Sequence, residues 1–256
     1  MELWESVVRI GIVLFLCSVL ASITYIRKLL TLTGSMAAFG VGVLIGVFGD
    51  VVWLILLLFF LLSGFAATKY KFATKVAWGV QEGVKGERKG RNVIAHGLIP
   101  SVIAVLAFLS RYFSLPLLPT DITGLIFISA ISVAAADTLA SEIGILSDKT
   151  YSIISGRKVS PGTNGGVSWF GQLWALFGAT FTSIFGWLIL HPFSDTLATG
   201  IWIIWIPILV GFMGCQIDSV LGATLEERGV LNKDTNNLVT IAIGSIVAIL
   251  LAALVT

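Results

Sequence analysis

The chain has 256 residues, of which 57% are hydrophobic and only 12% are charged, and its mean hydropathy is +0.99. Soluble domains carry about 25% charged residues, so this composition excludes an ordinary soluble domain and predicts an all-α, polytopic membrane protein. The formal net charge of +2 indicates little, and we expect no nucleic-acid partner. Cys17 and Cys215 both lie in apolar runs, without metal-binding or disulfide spacing, and are expected to be buried.

Eight apolar segments approach the roughly 20 residues that a spanning helix needs. The first lacks the basic start and cleavage site of a signal peptide, so we expect it to be a retained helix. The second is short and glycine-rich, and the break after it is very tight, so it forms either a helical hairpin with the third or only a partial span. The predicted spans cover about 4–25, 35–49, 51–67, 93–109, 122–140, 167–190, 200–221 and 238–255.

Basic residues are concentrated in alternate connections between these spans. Fourteen of the sixteen lysines and arginines fall in connections 22–34, 68–92, 141–166 and 222–237, and only Arg9 and Arg111 lie elsewhere. With eight spans, these four connections share one side of the membrane. The positive-inside rule makes that side cytoplasmic, which predicts that both termini are outside and that the working surface faces cytoplasmic nucleotides.

Two carboxylates end the fifth span, at Asp137 and Glu142. Carboxylates inside or beside apolar segments are costly and usually functional, and their oxygens are suited to Mg²⁺. Five residues on a helix correspond to about 500°, so the two side chains point about 140° apart. Either the helix breaks near Ser141 or each carboxylate has its own partner. The alternative for Glu142 is a headgroup-level pair with Lys149.

Asp218 lies at least one turn inside the seventh span, where Gln216 and Ser219 add hydrogen-bonding groups. Small residues allow membrane helices to pack closely, so we expect Asp137 and Asp218 to approach each other and hold Mg²⁺, with Glu142 as a further candidate ligand. The segments beginning at Asp137 and Asp218 are also similar to each other, which suggests a parallel internal repeat.

A glycine-rich loop precedes the sixth span, and the basic pair Arg157 and Lys158 precedes the loop. Glycine allows the backbone to approach a ligand, and the following helix start directs free N–H groups toward anions. The loop is not a Walker sequence. We expect it to bind nucleotide phosphates through Gly162, Thr163, Asn164 and Gly165.

Further phosphate contacts are expected from Arg88, Arg91 and Asn92, at the start of the fourth span, although a lipid-facing basic loop is the simpler interpretation. Asn236 and Asn237 are placed before the last span, where Asn237 is a phosphate-binding candidate if it folds back beside Asp218. His96 is more often a packed polar residue than a base. His191 is interpreted as structural.

Three ordered segments carry a resemblance to a known family: Ala136 to Gly144, Gly162 to Ser168, and Asp218 to Glu226. The chain resembles the integral membrane family of plant phytyl-phosphate kinase and human transmembrane protein 19, and more distantly the CTP-using phytol and dolichol kinases. Segment 92–97 departs from the family pattern. The resemblance implies a single catalytic domain over 1–256 that phosphorylates a polyprenyl monophosphate with CTP or another nucleoside triphosphate.

Two other functions remain open from the sequence. A cytidylyltransferase would use the same nucleotide site but attack the α-phosphate, giving a CDP-lipid. An ion-coupled transporter would use the carboxylates for ion binding. The sequence predicts membrane lipids as partners.

Overall fold

The computed structural model describes residues 3–194, 197 and 200–255. Within these residues, eight helical segments are long and apolar enough to cross a membrane, which confirms the predicted all-α polytopic fold. The long helices are α1 (Leu3–Ile26), α2 (Leu32–Leu44), α3 (Val51–Lys69), α5 (Gly90–Phe113), α6 (Thr123–Gly144), α7 (Trp169–Leu190), α8 (Trp205–Leu221) and α9 (Lys233–Val255), and a short helix, α4, spans Phe72–Trp78.

The second span is continued by a wider helical turn, Ile45–Gly49, so it is long enough to cross. Asp50 then caps α3 by accepting a hydrogen bond from the Val52 amide at 3.1 Å. The side chain of Arg9 donates to the carbonyl oxygens of Gly46, Val47 and Gly49. These contacts pair the backbone groups that the end of a helix leaves free.

Helix α6 is the centre of the bundle and is almost entirely buried. It packs against α3, α5, α7, α8 and α9. Glycines bring two neighbours close: a Cβ on Gly178 would lie 3.0 Å from the Ala135 carbonyl oxygen, and one on Gly211 would lie 2.2 Å from Ser132 Oγ. Such close backbone approach stabilises helix pairs in membranes.

Helix α9 begins at Lys233, five residues before the predicted start of the last span. Asn232 Oδ1 accepts from the Thr235 amide, and Thr235 Oγ1 accepts from the Asn232 amide. This reciprocal cap explains the earlier start. The prediction that Asn236 and Asn237 precede the helix is therefore wrong: both lie in its first turns, and both are buried.

The four basic connections meet at one end of the bundle. Leu30 pairs with Arg88, and Glu82 contacts Lys233. The connection after α6 forms a small antiparallel sheet that the sequence did not predict. Its strands are β1 (Thr150–Ser152), β2 (Lys158–Val159) and β3 (Gly166–Val167), in the order β2-β1-β3.

The opposite end of the bundle has shorter connections. Ser194 Oγ donates to Asp50 Oδ2 at 3.1 Å. His191 stacks on Trp187, with ring centroids 4.5 Å apart. Part of the predicted connection 191–199 lies outside the described residues.

Candidate active site

Asp137 and Asp218 lie side by side near the ends of α6 and α8. Their side chains are within hydrogen-bonding distance of each other. Thr240 Oγ1 donates to Asp218 Oδ1 at 3.4 Å, and Asn236 Nδ2 donates to the Asp218 carbonyl oxygen at 3.1 Å. Two adjacent carboxylates repel each other unless they share a proton or a cation. Their arrangement is therefore suited to a cation.

The two aspartates line a polar cavity of about 380 Å³ at the end of the bundle where the basic connections meet. The glycine-rich loop, the start of α7, the start of α9 and the segment after α4 contribute other parts of its lining. The lining includes Gly79, Val80, Gln81, Asp137, Ser141, Gly162, Thr163, Asn164, Gly165, Ser168, Gln172, Asp218, Ser219, Glu226, Lys233 and Asn237.

All four predicted residues of the glycine-rich loop line this cavity. Thr163 closes a turn through its amide and hydroxyl, which both donate to the Ser160 carbonyl oxygen. Within the described residues, the amides of Gly162, Asn164 and Gly165 have no acceptor. These N–H groups are available to an anion such as a phosphate.

Both backbone conformation and close packing require glycine at position 165. Its φ is +69°, and a Cβ there would lie 2.3 Å from Ala223 Cβ and 2.6 Å from the Ser219 carbonyl oxygen. The loop therefore packs directly on the end of α8, the helix that carries Asp218. This contact fixes the position of the loop relative to the aspartates.

The basic residues predicted to contact the nucleotide lie elsewhere. Arg157 and Lys158 are exposed at β2 and its approach, and Arg91 is exposed at the start of α5. None of the three lines the cavity. Arg88 and Asn92 line a separate, apolar pocket.

Lys233 is the cation that lines the cavity, within the described part of the chain. Sequence reasoning counted it only as a connection residue, because the start of α9 was placed too late. Its Nζ lies 3.0 Å from Glu82 Oε2. Burial acts to raise the pKa of Glu82, but the positive charge of Lys233, its hydrogen bond and the charge of Arg88 together outweigh burial, so this pKa lies below its ordinary value.

Glu142 faces away from the aspartate pair. Helix α6 continues unbroken to Gly144, so Asp137 and Glu142 point in different directions around the helix, as predicted. Glu142 Oε2 lies 2.8 Å from Nζ of the fully buried Lys75, which also donates to the carbonyl oxygens of Ala67 and Thr68. The partner is Lys75 of α4 rather than Lys149, and this helix was missed because it has only 7 residues and lies in a basic connection.

His96 links α5 to α9. Its Nδ1 lies 2.8 Å from the Asn92 carbonyl oxygen, and its Nε2 lies 3.3 Å from Asn237 Nδ2. A carbonyl oxygen only accepts, so Nδ1 carries the proton and Nε2 accepts from the amide of Asn237. Both ring nitrogens are therefore engaged, which agrees with a packed polar residue.

Three glutamines in or beside the cavity were not predicted as site residues. Gln216 Nε2, on α8, donates to Gln172 Oε1, on α7, at 2.8 Å. Gln81 Oε1 is buried and has no hydrogen-bond partner within the described residues. The sequence noted Gln216 only as a polar neighbour of Asp218, and Gln81 and Gln172 carry no sequence signal, because only the fold brings them to the cavity.

The aspartate pair fits Mg²⁺. Mg²⁺ is usually bound by one or two carboxylates, with substrate phosphates and water as the other ligands. The described residues contain no group of three or more His, Cys, Asp or Glu side chains arranged to hold a metal. Two carboxylates would leave the other ligand positions of Mg²⁺ to water and phosphate oxygens.

The sequence matches the family described as Integral membrane protein DUF92 over residues 15–249. The chain belongs to this family. It is 31% identical over 248 residues to the uncharacterized membrane protein MJ0933 of Methanocaldococcus jannaschii, covering 96% of each chain. This family membership confirms the resemblance inferred from the three motifs.

Two plant proteins are also similar to this DUF92 protein. Protein VTE6, chloroplastic, of Arabidopsis thaliana is 31% identical over 253 residues, which cover 97% of this chain and 72% of VTE6. Protein PGR of the same plant is 33% identical over 233 residues, which cover 86% of this chain and 80% of PGR. No solved structure matches the chain.

Proposed function

We propose that this protein is a kinase that transfers the γ-phosphate of CTP, or of another nucleoside triphosphate, to a polyprenyl monophosphate. The observation that carries the proposal is the contact between Asp137 and Asp218 in a polar cavity whose lining includes the unpaired amides of the glycine-rich loop. Phosphoryl transfer requires mainly positioning and charge stabilisation. Paired carboxylates, loop amides and a lysine match that requirement.

The donor triphosphate occupies the cavity in this proposal. The amides of Gly162, Asn164 and Gly165 donate to its phosphate oxygens, and Lys233 leaves Glu82 to neutralise the charge that develops. An oxygen of the prenyl monophosphate attacks the γ-phosphorus, the bond from that phosphorus to the β,γ-bridging oxygen breaks, and the nucleoside diphosphate departs. The acceptor is already ionised, so no general base is needed.

Asp137 and Asp218 are the residues that would hold Mg²⁺, which supplies charge neutralisation to the donor phosphates when bound. Glu142 is excluded from this proposed set because Lys75 engages it. We place the cavity at the cytoplasmic face, where nucleotides are available. The basic connections at that end of the bundle support this orientation.

The resemblance of three motifs to the phytyl-phosphate kinase family, together with similarity to VTE6 over 97% of this chain, supports a membrane-bound prenyl-phosphate kinase. The cytidylyltransferase alternative uses the same cavity and differs only in which phosphorus is attacked. The transporter alternative is less favoured, because the loop that lines the cavity has unpaired amides, which are anion-binding groups that ion coupling does not require.

The direct test incubates purified protein with Mg²⁺, radiolabelled CTP and geranylgeranyl phosphate. We expect γ-label in a lipid diphosphate. Asp137→Asn and Asp218→Asn should each lower the rate by at least about 100-fold, since each removes charge from the reacting centre. Asp148→Asn changes an exposed carboxylate at the same end of the bundle and should leave the rate unchanged.

Each alternative has its own outcome. Transfer of α-label to lipid would establish the cytidylyltransferase. Substrate flux in liposomes without nucleotide turnover would establish the transporter. Full activity of both aspartate variants would show that the pair is not the reacting centre.

A further inference from the structure

A second pocket, of about 90 Å³, lies among α1, α2, α3 and α5. Most of its lining is aliphatic, including Leu20, Ala38, Leu58 and Leu61. One end is polar and is formed by Arg88, Asn92 and His96. A pocket with an apolar body and one cationic end matches an amphiphile with an anionic head.

Arg88 makes no ion pair within the described residues. No carboxylate lies within 4.0 Å of its guanidinium, and its one side-chain hydrogen bond is a long contact of 3.5 Å from Nη2 to Thr68 Oγ1. The side chain is half-buried. A guanidinium binds phosphate with particularly good geometry, so a phosphate head would supply the missing charge.

The apolar pocket adjoins the aspartate pair through His96. This residue lines the pocket, and it also borders the narrow space between Asp137, Asp218 and Asn237. A phosphate beside Arg88 would therefore lie across His96 from the aspartates, on a different side from the polar cavity. Donor and acceptor would approach the pair from different directions, as transfer between them requires.

A larger apolar groove, of about 360 Å³, lies among α3, α6 and α7. It is lined by residues such as Phe59, Leu139, Trp174 and Phe181, and no charged side chain is among its lining residues. It lies against the face of α6 that carries Leu139 and Ile143, whereas Asp137 faces the polar cavity. The lining of this groove therefore offers a lipid head no cation, and it contains neither aspartate.

We propose that the pocket among α1, α2, α3 and α5 binds the prenyl chain of the acceptor, and that Arg88 binds the acceptor's phosphate. This inference rests on the proposed kinase function, because it names where that substrate binds. Arg88 thus belongs to the acceptor site, whereas the sequence suggested a nucleotide contact. Only the first part of a long chain fits the pocket, and the remainder lies against the bilayer.

The kinetic test fills each apolar site with the same side chain. Ala38→Phe occupies the proposed pocket, and the matched control Ala66→Phe occupies the groove among α3, α6 and α7. We expect Ala38→Phe to raise KM for geranylgeranyl phosphate about tenfold or more, because it displaces several buried methylenes. KM for CTP should not change. Ala66→Phe should change neither value, and the reverse pattern would overturn the proposal.

Photo-crosslinking tests the site without turnover. A diazirine-tagged geranylgeranyl phosphate should label peptides of α2, which lines the proposed pocket, rather than the part of α7 from Trp174 to Thr182, which lines the groove. Arg88→Met should lower this labelling at least about fivefold, and Arg88→Lys should restore part of it. Labelling of α7, or labelling that is unaffected by Arg88→Met, would overturn the proposal.

The two measurements separate two failures. If the probe labels α2 of the wild-type protein but the protein turns over no nucleotide, the proposed kinase function is wrong, and the proposed lipid-phosphate site is still supported. If the protein turns over nucleotide but the probe labels the groove-lining part of α7, the proposed kinase function is supported, and the proposed position of the prenyl chain is wrong.

Discussion

At the scale of single residues, Lys75 and Glu142 form the more deeply buried of the two ion pairs found in the described residues. Lys75 is fully buried, and its ammonium has three oxygen partners, from Ala67, Thr68 and Glu142. Removing one member of such a pair leaves an uncompensated charge, whereas replacing both members with apolar residues is often tolerated. The pair therefore joins α4 to α6 and turns Glu142 away from the cavity.

Glu142→Gln should destabilise the protein by about 3–5 kcal/mol, because it leaves the ammonium of Lys75 buried without its counter-charge. The double variant Lys75→Met with Glu142→Leu should recover most of that loss and should retain activity. Denaturant unfolding in detergent and the kinase assay measure the two effects. A double variant that is stable but inactive would show instead that Glu142 takes part in the reaction.

At the scale of elements, the polar cavity is formed by segments that are distant in sequence. The segment between α4 and α5 is joined to the start of α9 by Glu82 and Lys233. The glycine-rich loop is placed on the end of α8 by the close contact at Gly165. Both contacts involve residues that line or adjoin the cavity, so the arrangement of these connections determines its shape.

The contact between Glu82 and Lys233 should make stability depend on pH. The pKa of Glu82 is lowered in the folded protein from an ordinary value of 4.5, so the contact contributes fully above about pH 4.5. Its contribution is lost as pH falls through the lowered pKa. Glu82→Gln should therefore lower the free energy of unfolding at pH 7 by about 1 kcal/mol or less, and lower Tm accordingly.

The corresponding measurement compares thermal unfolding of both proteins from pH 7 to pH 3. The difference in Tm should shrink below pH 4.5. Glu227→Gln, which changes an exposed residue at the same end of the bundle, should show no such trend. A difference in Tm that stays constant down to pH 3 would contradict an ionic contact.

At the scale of the whole molecule, the two ends of the bundle differ in charge and in structure. The end with the cavity gathers the four basic connections, the small sheet and α4, whereas the opposite end has short turns joined by contacts such as Ser194 with Asp50. Both aspartates line the polar cavity at this end of the bundle. In the proposed function, orientation in the membrane therefore decides which compartment would supply the nucleotide.

The predicted orientation can be measured by labelling intact cells with a membrane-impermeant maleimide. The native Cys17 and Cys215 are buried, so they should give little background. Leu117→Cys, exposed at the opposite end, should label in intact cells. Ser155→Cys, exposed near the cavity, should label only after permeabilisation. The reverse result would place the cavity outside and remove the source of cytoplasmic nucleotide.

The sequence by itself determined the class of fold, the eight spans and the grouping of basic connections on one side. These features depend on runs of about 20 apolar residues and on counts of lysine and arginine, which need no tertiary contact. It also identified Asp137, Asp218 and the glycine-rich loop, because carboxylates inside apolar helices and glycines beside a helix start stand out locally.

Only the tertiary structure decided which charges face which partner. Five basic residues in the connections look alike in sequence. Lys75 is buried against Glu142, and Lys233 lines the cavity. Arg88 lies at one end of an apolar pocket, whereas Arg157 and Lys158 are exposed. A lysine or arginine in a connection has no periodic pattern to place it. Its partner depends on how helices distant in sequence pack, and in this protein that packing separates the cavity with the aspartates from the apolar pocket beside Arg88.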